Sequence, residues 1–143
     1  MFPRLPPVTQ ALLIANVVVF LLQQTVGGYA LAQFMLWPID SGDYDPSSQG
    51  FSFMPWQLLT YGFMHGSLPH LLFNMLALFM FGAPLEHAWG NRRFLTYFLV
   101  CVAGAGVLQL IVGWWTMANG GAAYPTLGAS GGVFGILLAY GML

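Results

Sequence analysis

Two polar residues stand where polarity is costly. In His70-Leu71-Leu72-Phe73-Asn74 an imidazole and a carboxamide are spaced i, i+4 within an apolar run. That spacing sets both side chains on one face of a helix, where each can donate a hydrogen bond to a common point. Such a pair suits either a clamp between helices or a cradle for developing negative charge. A third polar residue, Ser130, lies in Gly128-Ala129-Ser130-Gly131-Gly132. The glycines leave its hydroxyl uncrowded and let the backbone approach closely. A helix starting there offers unbonded N–H groups to an anion. The same glycines, as Gly128/Gly132 and Gly131/Gly135, also match a small-residue packing face.

The remaining reactive residues carry less. The serine segment fits G-x-S-x-G, but the nucleophile elbow of soluble hydrolases needs a strand before it and an acid and a histidine after it. Ala122–Leu127 makes a poor strand and nothing acidic or imidazole follows Ser130, so that reading is rejected. His65 precedes His70 by five residues and His87 is distant, so no zinc ligand set forms. His65 reads as a hydrogen-bonded loop histidine. Glu86 reads as a solvated structural residue that pairs with Arg92 or Arg93 or reaches a helix terminus. Cys101, the single cysteine, reads as a small buried hydrophobe.

The elements that must position these groups follow from composition. Of 143 residues 58% are apolar and 5% charged, with three basic and four acidic side chains. A soluble domain carries about 25% charged residues. The balance excludes a soluble globular enzyme, a nucleic-acid binder with a basic face and a disordered chain. The chain is an integral, multi-pass membrane protein. A crossing takes roughly 20 residues, so about five spans are the ceiling. The charges fall in three groups: Arg4; Asp40, Asp43 and Asp45; Glu86, Arg92 and Arg93. Between them lie spans at about 8–26, 68–83, 94–115 and 130–143, the second stopping near Gly82-Ala83-Pro84. The N-terminal pattern also resembles a signal peptide, with Ala30-Leu31-Ala32 as its cleavage site, but the gap after Leu22 is long and further spans follow.

Orientation comes from the arginines. Arg4 and the Arg92-Arg93 pair both lie on the cytoplasmic side if positive charge stays inside. The N-terminus is then cytoplasmic and the acidic group outside. His70 and Asn74 fall in the outer half of span two, and Ser130 at the outer end of span four. Two sites far apart in sequence thus share one leaflet. Residues 27–67 form a long outer connection broken by Gly27-Gly28, Pro38, Gly42, Pro46 and Gly50. Its apolar pieces, Ala30–Trp37 and Phe51–Phe63, are too short to span and suit membrane-associated or re-entrant elements.

These residues together resemble a known family. Trp56-Gln57-Leu58-Leu59-Thr60, Phe63-Met64-His65 and His70-Leu71-Leu72-Phe73-Asn74-Met75 look like the approach to the second span of rhomboid intramembrane serine proteases. Gly82 with Leu85-Glu86, then Gly90-Asn91-Arg92-Arg93-Phe94, resembles the turn that follows. Gly128-Ala129-Ser130-Gly131 looks like the nucleophile motif. The resemblance implies an all-α, polytopic membrane helix bundle and peptide-bond hydrolysis in transmembrane segments of membrane proteins. It makes Ser130 the nucleophile and gives His70, Asn74 and the Ser130 N–H the oxyanion. His65, Glu86, Gly128 and Gly131 become structural support. No cofactor, metal or nucleic acid is implied, and a bacterial inner membrane is the expected setting.

One departure from the family pattern is serious. The general-base histidine of the family sits on a later span, and no histidine follows Ser130 here. From Ser130 to the last residue a helix reaches only about 21 Å, short of a core of about 30 Å. The expectation is a single, incomplete rhomboid-like domain over residues 1–143, with about four of six core spans and no activity of its own. Two alternatives are a non-catalytic rhomboid-like protein that binds membrane clients and a small transporter subunit. The intact serine setting weighs against the first, and the scarcity of polar residues in spans three and four against the second.

Overall fold

Pro6 and Pro7 open the first helix at little cost, because the first N–H groups of a helix have no intrahelical acceptor. Helix α1 (Pro7–Val26) ends where Gly27 takes a φ of +98°. The computed structural model describes residues 4–40, 50–122 and 124–143; Gly42, Asp43, Asp45, Pro46 and Ser47-Ser48 lie outside these. A short helix, α2 (Gly28–Leu31), and a 3₁₀ turn (Ala32–Phe34) follow, then α3 (Gln57–Thr60) with a second 3₁₀ turn (Tyr61–Phe63). The long helices are α4 (Leu68–Trp89) and α5 (Asn91–Ala118), and α6 (Ser130–Gly141) is shorter and also apolar. Three helices, α1, α4 and α5, are long and apolar enough to cross a membrane. The described residues form no strand, only one isolated bridge between Leu36 and Thr126.

Helix α4 departs from its expected end. The sequence predicts a stop near Pro84, yet the helix continues to Trp89 through a widened π-type turn over Leu78–Gly82. A proline cannot donate to the carbonyl four residues back and its ring crowds that carbonyl. The wide turn lies directly before Pro84 and takes up the misfit, so the helix is carried on rather than broken. Gly90, at φ +88°, then makes the sharp turn into α5. Helix α5 is also longer than expected, since Arg92 and Arg93 belong to its first turn.

The core sits between α4, α5 and α6. Phe94, Phe98, Val102, Leu78, Leu85 and Ile136 are fully buried there. Helix α6 packs closely on α5 because its contact face is glycine. A Cβ at Gly132 would strike the Phe98 ring and one at Gly135 would strike Cys101 Sγ. The Tyr97 hydroxyl adds a hydrogen bond to the Gly135 carbonyl at 2.6 Å. The small-residue packing expected of these glycines is thus present beside the serine setting, not instead of it. Outward-facing residues such as Phe73, Val100, Leu108 and Phe134 are large, apolar and exposed, as suits a lipid-facing surface.

The connection after α1 is tied down by its own polar groups. Gln57 is buried and bridges three strands of chain: it accepts from Trp37 N at 3.1 Å and donates to the carbonyls of Gln33 (2.9 Å) and Ser52 (3.2 Å). Thr60 Oγ1 donates to the Phe34 carbonyl at 2.7 Å. Leu36 and Thr126 exchange backbone hydrogen bonds of 3.0 and 2.8 Å. The connection is therefore fastened to the segment that leads into Ser130.

Candidate active site

The N-terminus of α4 is set by Ser67, whose hydroxyl accepts from His70 N at 3.3 Å. This N-cap fixes the register in which His70 and Asn74 share a face. That face meets the start of α6. His70 Nε2 lies 3.4 Å from Ser130 Oγ, and Ser130 Oγ donates to Asn74 Oδ1 at 3.4 Å. The hydroxyl has one proton. With that proton on Asn74, the His70 contact is made by an Nε2–H donor. Asn74 is buried and its Nδ2 has no partner. The site therefore holds an amide donor and an imidazole donor beside one hydroxyl oxygen.

Ser130 is the first residue of α6, and the helical ladder begins with Val133 N bonded to the Ala129 carbonyl at 2.9 Å. The N–H groups of Ser130 and the two glycines after it have no intrahelical acceptor. They add fixed positive dipole next to the hydroxyl. Chemically, the arrangement presents a hydroxyl oxygen flanked by donors from three sources.

Gly128 makes the approach possible. Its φ of +123° is unsuited to other residues, and a Cβ there would lie 2.6 Å from His70 Cε1. Its N–H donates to the Tyr61 carbonyl at 3.0 Å, and the Tyr61 hydroxyl donates to the Val102 carbonyl at 2.5 Å. The loop before the serine is thereby hung from α5. Gly131 sits against α5, where a Cβ would be 2.5 Å from that of Ala105.

His65 is buried behind the site. Its Nε2 accepts from Ala129 N at 3.3 Å, and its ring meets that of His70 edge-on at 4.9 Å between centroids. Burial pushes its pKa down to about 4, and neighbouring His70 adds to the shift. The ring is neutral at pH 7, as an acceptor at Nε2 requires. Its backbone is clamped by Gln23 of α1, which donates to the His65 carbonyl and accepts from His65 N, both at 3.0 Å. Gln23 and Tyr61 carry no motif that marks them as site supports, and Gln57, though it stands in a segment that resembles the family, takes no role from the sequence.

Glu86 needs correction. It is neither solvated nor paired with Arg92 or Arg93. The residue is 1% exposed, and its carboxyl group accepts from Val8 N (2.9 Å), Thr9 N (2.6 Å) and Thr9 Oγ1 (2.8 Å). It caps α1 from outside the helix, the second of the two roles that its position suggested. His87 is exposed in the last turn of α4, far from the serine. Cys101 is half-buried against Gly135. Among the described residues no three His, Cys, Asp or Glu side chains gather to hold a metal ion. Residues 52–143 match the family model of the Rhomboid domain, a stretch that covers well over half of the chain and contains His65, His70, Asn74 and Ser130.

Proposed function

Because the chain belongs to the rhomboid family of intramembrane proteases, we propose that Ser130 is the nucleophile of peptide-bond hydrolysis, with His70, Asn74 and the Ser130 N–H as its oxyanion donors. One observation carries this reading: Asn74 and His70 reach the same serine oxygen at 3.4 Å from another helix. In the reaction Ser130 Oγ bonds to the carbonyl carbon of a substrate segment and its proton leaves to a base. The carbonyl oxygen, now negative, takes hydrogen bonds from His70 Nε2–H, the free Asn74 Nδ2–H and the Ser130 N–H. Each such donor in a water-poor site is worth about 2.7–4 kcal/mol. The amine departs with the base's proton, and water then releases the acyl group from Ser130.

The base is the open position in this scheme, since a neutral serine is a weak nucleophile without one. His65 Nε2 is occupied by Ala129 N–H, His87 is remote, and His70 takes the donor role in this scheme. We therefore propose that residues 1–143 alone do not turn over substrate. Substrates are transmembrane segments of membrane proteins, in keeping with the family. The arginines support a cytoplasmic N-terminus, and on this reading the site lies in the outer half of a bacterial inner membrane. A purely client-binding role is disfavoured by an intact serine beside a buried amide whose Nδ2 is left without a partner.

The test is fluorophosphonate labelling with a cleavage assay on a model transmembrane substrate. The protein as expressed from its native gene should label and cleave, and Ser130→Ala should lose both. Cleavage that survives Ser130→Ala would remove the serine mechanism. The 143-residue chain in detergent should stay unlabelled. Strong labelling of it that disappears in His70→Ala would reassign His70 as the base.

A further inference from the structure

We propose that the groove at the turn from α4 into α5 binds the head group of an anionic phospholipid. The groove encloses about 790 Å³, and its lining includes Trp89, Arg92, Arg93, Thr96, Tyr97 and Val100. It lies at the end of α4 opposite His70, about 28 Å further along the helix by rise per residue, and is separate from the serine site.

Its charge is unopposed. Glu86, the acid nearest in sequence, has both carboxyl oxygens engaged by α1. No ion pair reaches Arg92 or Arg93 among the described residues. Arg93 is nevertheless held in place, with its guanidinium carbon 4.5 Å above the Trp89 ring. Trp89 is in turn braced edge-on by Tyr97, at 5.0 Å between centroids. A stacked guanidinium keeps its N–H fork free for phosphate oxygens.

The order of polarity along the groove selects the ligand. Arg92, Thr96 and Val100 follow at i, i+4 and i+8, one stripe of α5. The stripe passes from charge to hydroxyl to an apolar side chain that is 63% exposed. Over about 12 Å this is the sequence head group, glycerol, acyl chain. Free phosphate would use only its first step. Tryptophan and tyrosine beside arginine at the end of two membrane-spanning helices also mark the level of the lipid head groups.

Native mass spectrometry of the purified chain with dioleoyl phosphatidylglycerol or dioleoyl phosphatidylcholine tests the site. Phosphatidylglycerol should be retained more strongly. Arg92→Gln and Arg93→Gln should each weaken its binding about fivefold, with phosphatidylcholine binding and thermal unfolding unchanged. Trp89→Leu, which leaves the charge intact, should also weaken phosphatidylglycerol binding. Arg4→Gln should not, because Arg4 is outside the groove. Equal retention of both lipids, or an equal loss in Arg4→Gln, would overturn the proposal. So would displacement of the lipid by inorganic phosphate at equal concentration, since the phosphate alone would then suffice. None of these outcomes depends on whether Ser130 is a nucleophile.

Discussion

Helix α4 meets its neighbours through polar groups at both ends, and the two ends are built differently. At the C-terminal end Glu86 receives three hydrogen bonds of 2.6–2.9 Å and is sealed from solvent. At the N-terminal end His70 and Asn74 meet Ser130 through contacts of 3.4 Å, and Asn74 Nδ2 has no partner at all. A buried donor without an acceptor costs about 1–3 kcal/mol. The saturated end has nothing left to offer a ligand and serves as a fastening. The unsaturated end keeps bonding capacity, which the proposed mechanism assigns to the substrate's carbonyl oxygen.

Four changes would break or sharpen that contrast. The largest effect belongs to Asn74→Ala in the protein as natively expressed. In the proposed mechanism it removes a donor that matters only when charge develops, so kcat should fall about 10²–10³-fold with little change in KM. An unchanged kcat would mean that the free Nδ2 is not part of the oxyanion site. Gly128→Ala comes next. Its Cβ would push His70 away, and a displacement near 1 Å costs about 10²-fold in turnover. Single-turnover kinetics should show the loss in the chemical step.

Glu86→Ala acts at the other end and should separate stability from chemistry. It strands the Val8 and Thr9 N–H groups, and unfolding in mild detergent should be easier by about 2–4 kcal/mol. Turnover per folded molecule should hold. A fall in kcat of the Asn74→Ala size would erase the distinction between the two ends. The smallest effect is that of pH on His65. Its folded pKa is lowered to about 4 from 6.5. Between those values the unfolded chain binds a proton that the folded chain does not, so stability is complete above 6.5 and declines as pH falls toward 4. Thermal unfolding at pH 7 and pH 5 should show this decline, and His65→Gln should flatten it.

The same contrast explains what could be read from the sequence. His70, Asn74 and Ser130 were legible because their types are rare inside apolar spans, and because the few charges fix which ends of the spans face one another. The all-helical membrane architecture was legible for the same reason. Glu86 was only half legible. Its partners are backbone N–H groups 77 and 78 residues away, and a backbone donor leaves no mark in a side-chain pattern. The roles of Gln57 and Gln23 went unread because their partners are backbone groups, most of them distant in sequence, and an amide near a span end or in a connection shows no pattern until those partners are placed. Pro84 misled outright. Its rule holds for a regular α-helix, and the wide turn over Leu78–Gly82 lies outside that rule.

The Gln23 clamp changes how the first span should be regarded. Gln23 of α1 grips the backbone of His65 in both directions, and the His65 ring holds the N–H beside Ser130. The geometry of the serine is therefore indexed to a helix that contributes no reactive atom. The residues that carry the chemistry do not form a portable cassette. A graft that begins after α1 would carry Ser130, His70 and Asn74, but not the ruler against which they are set.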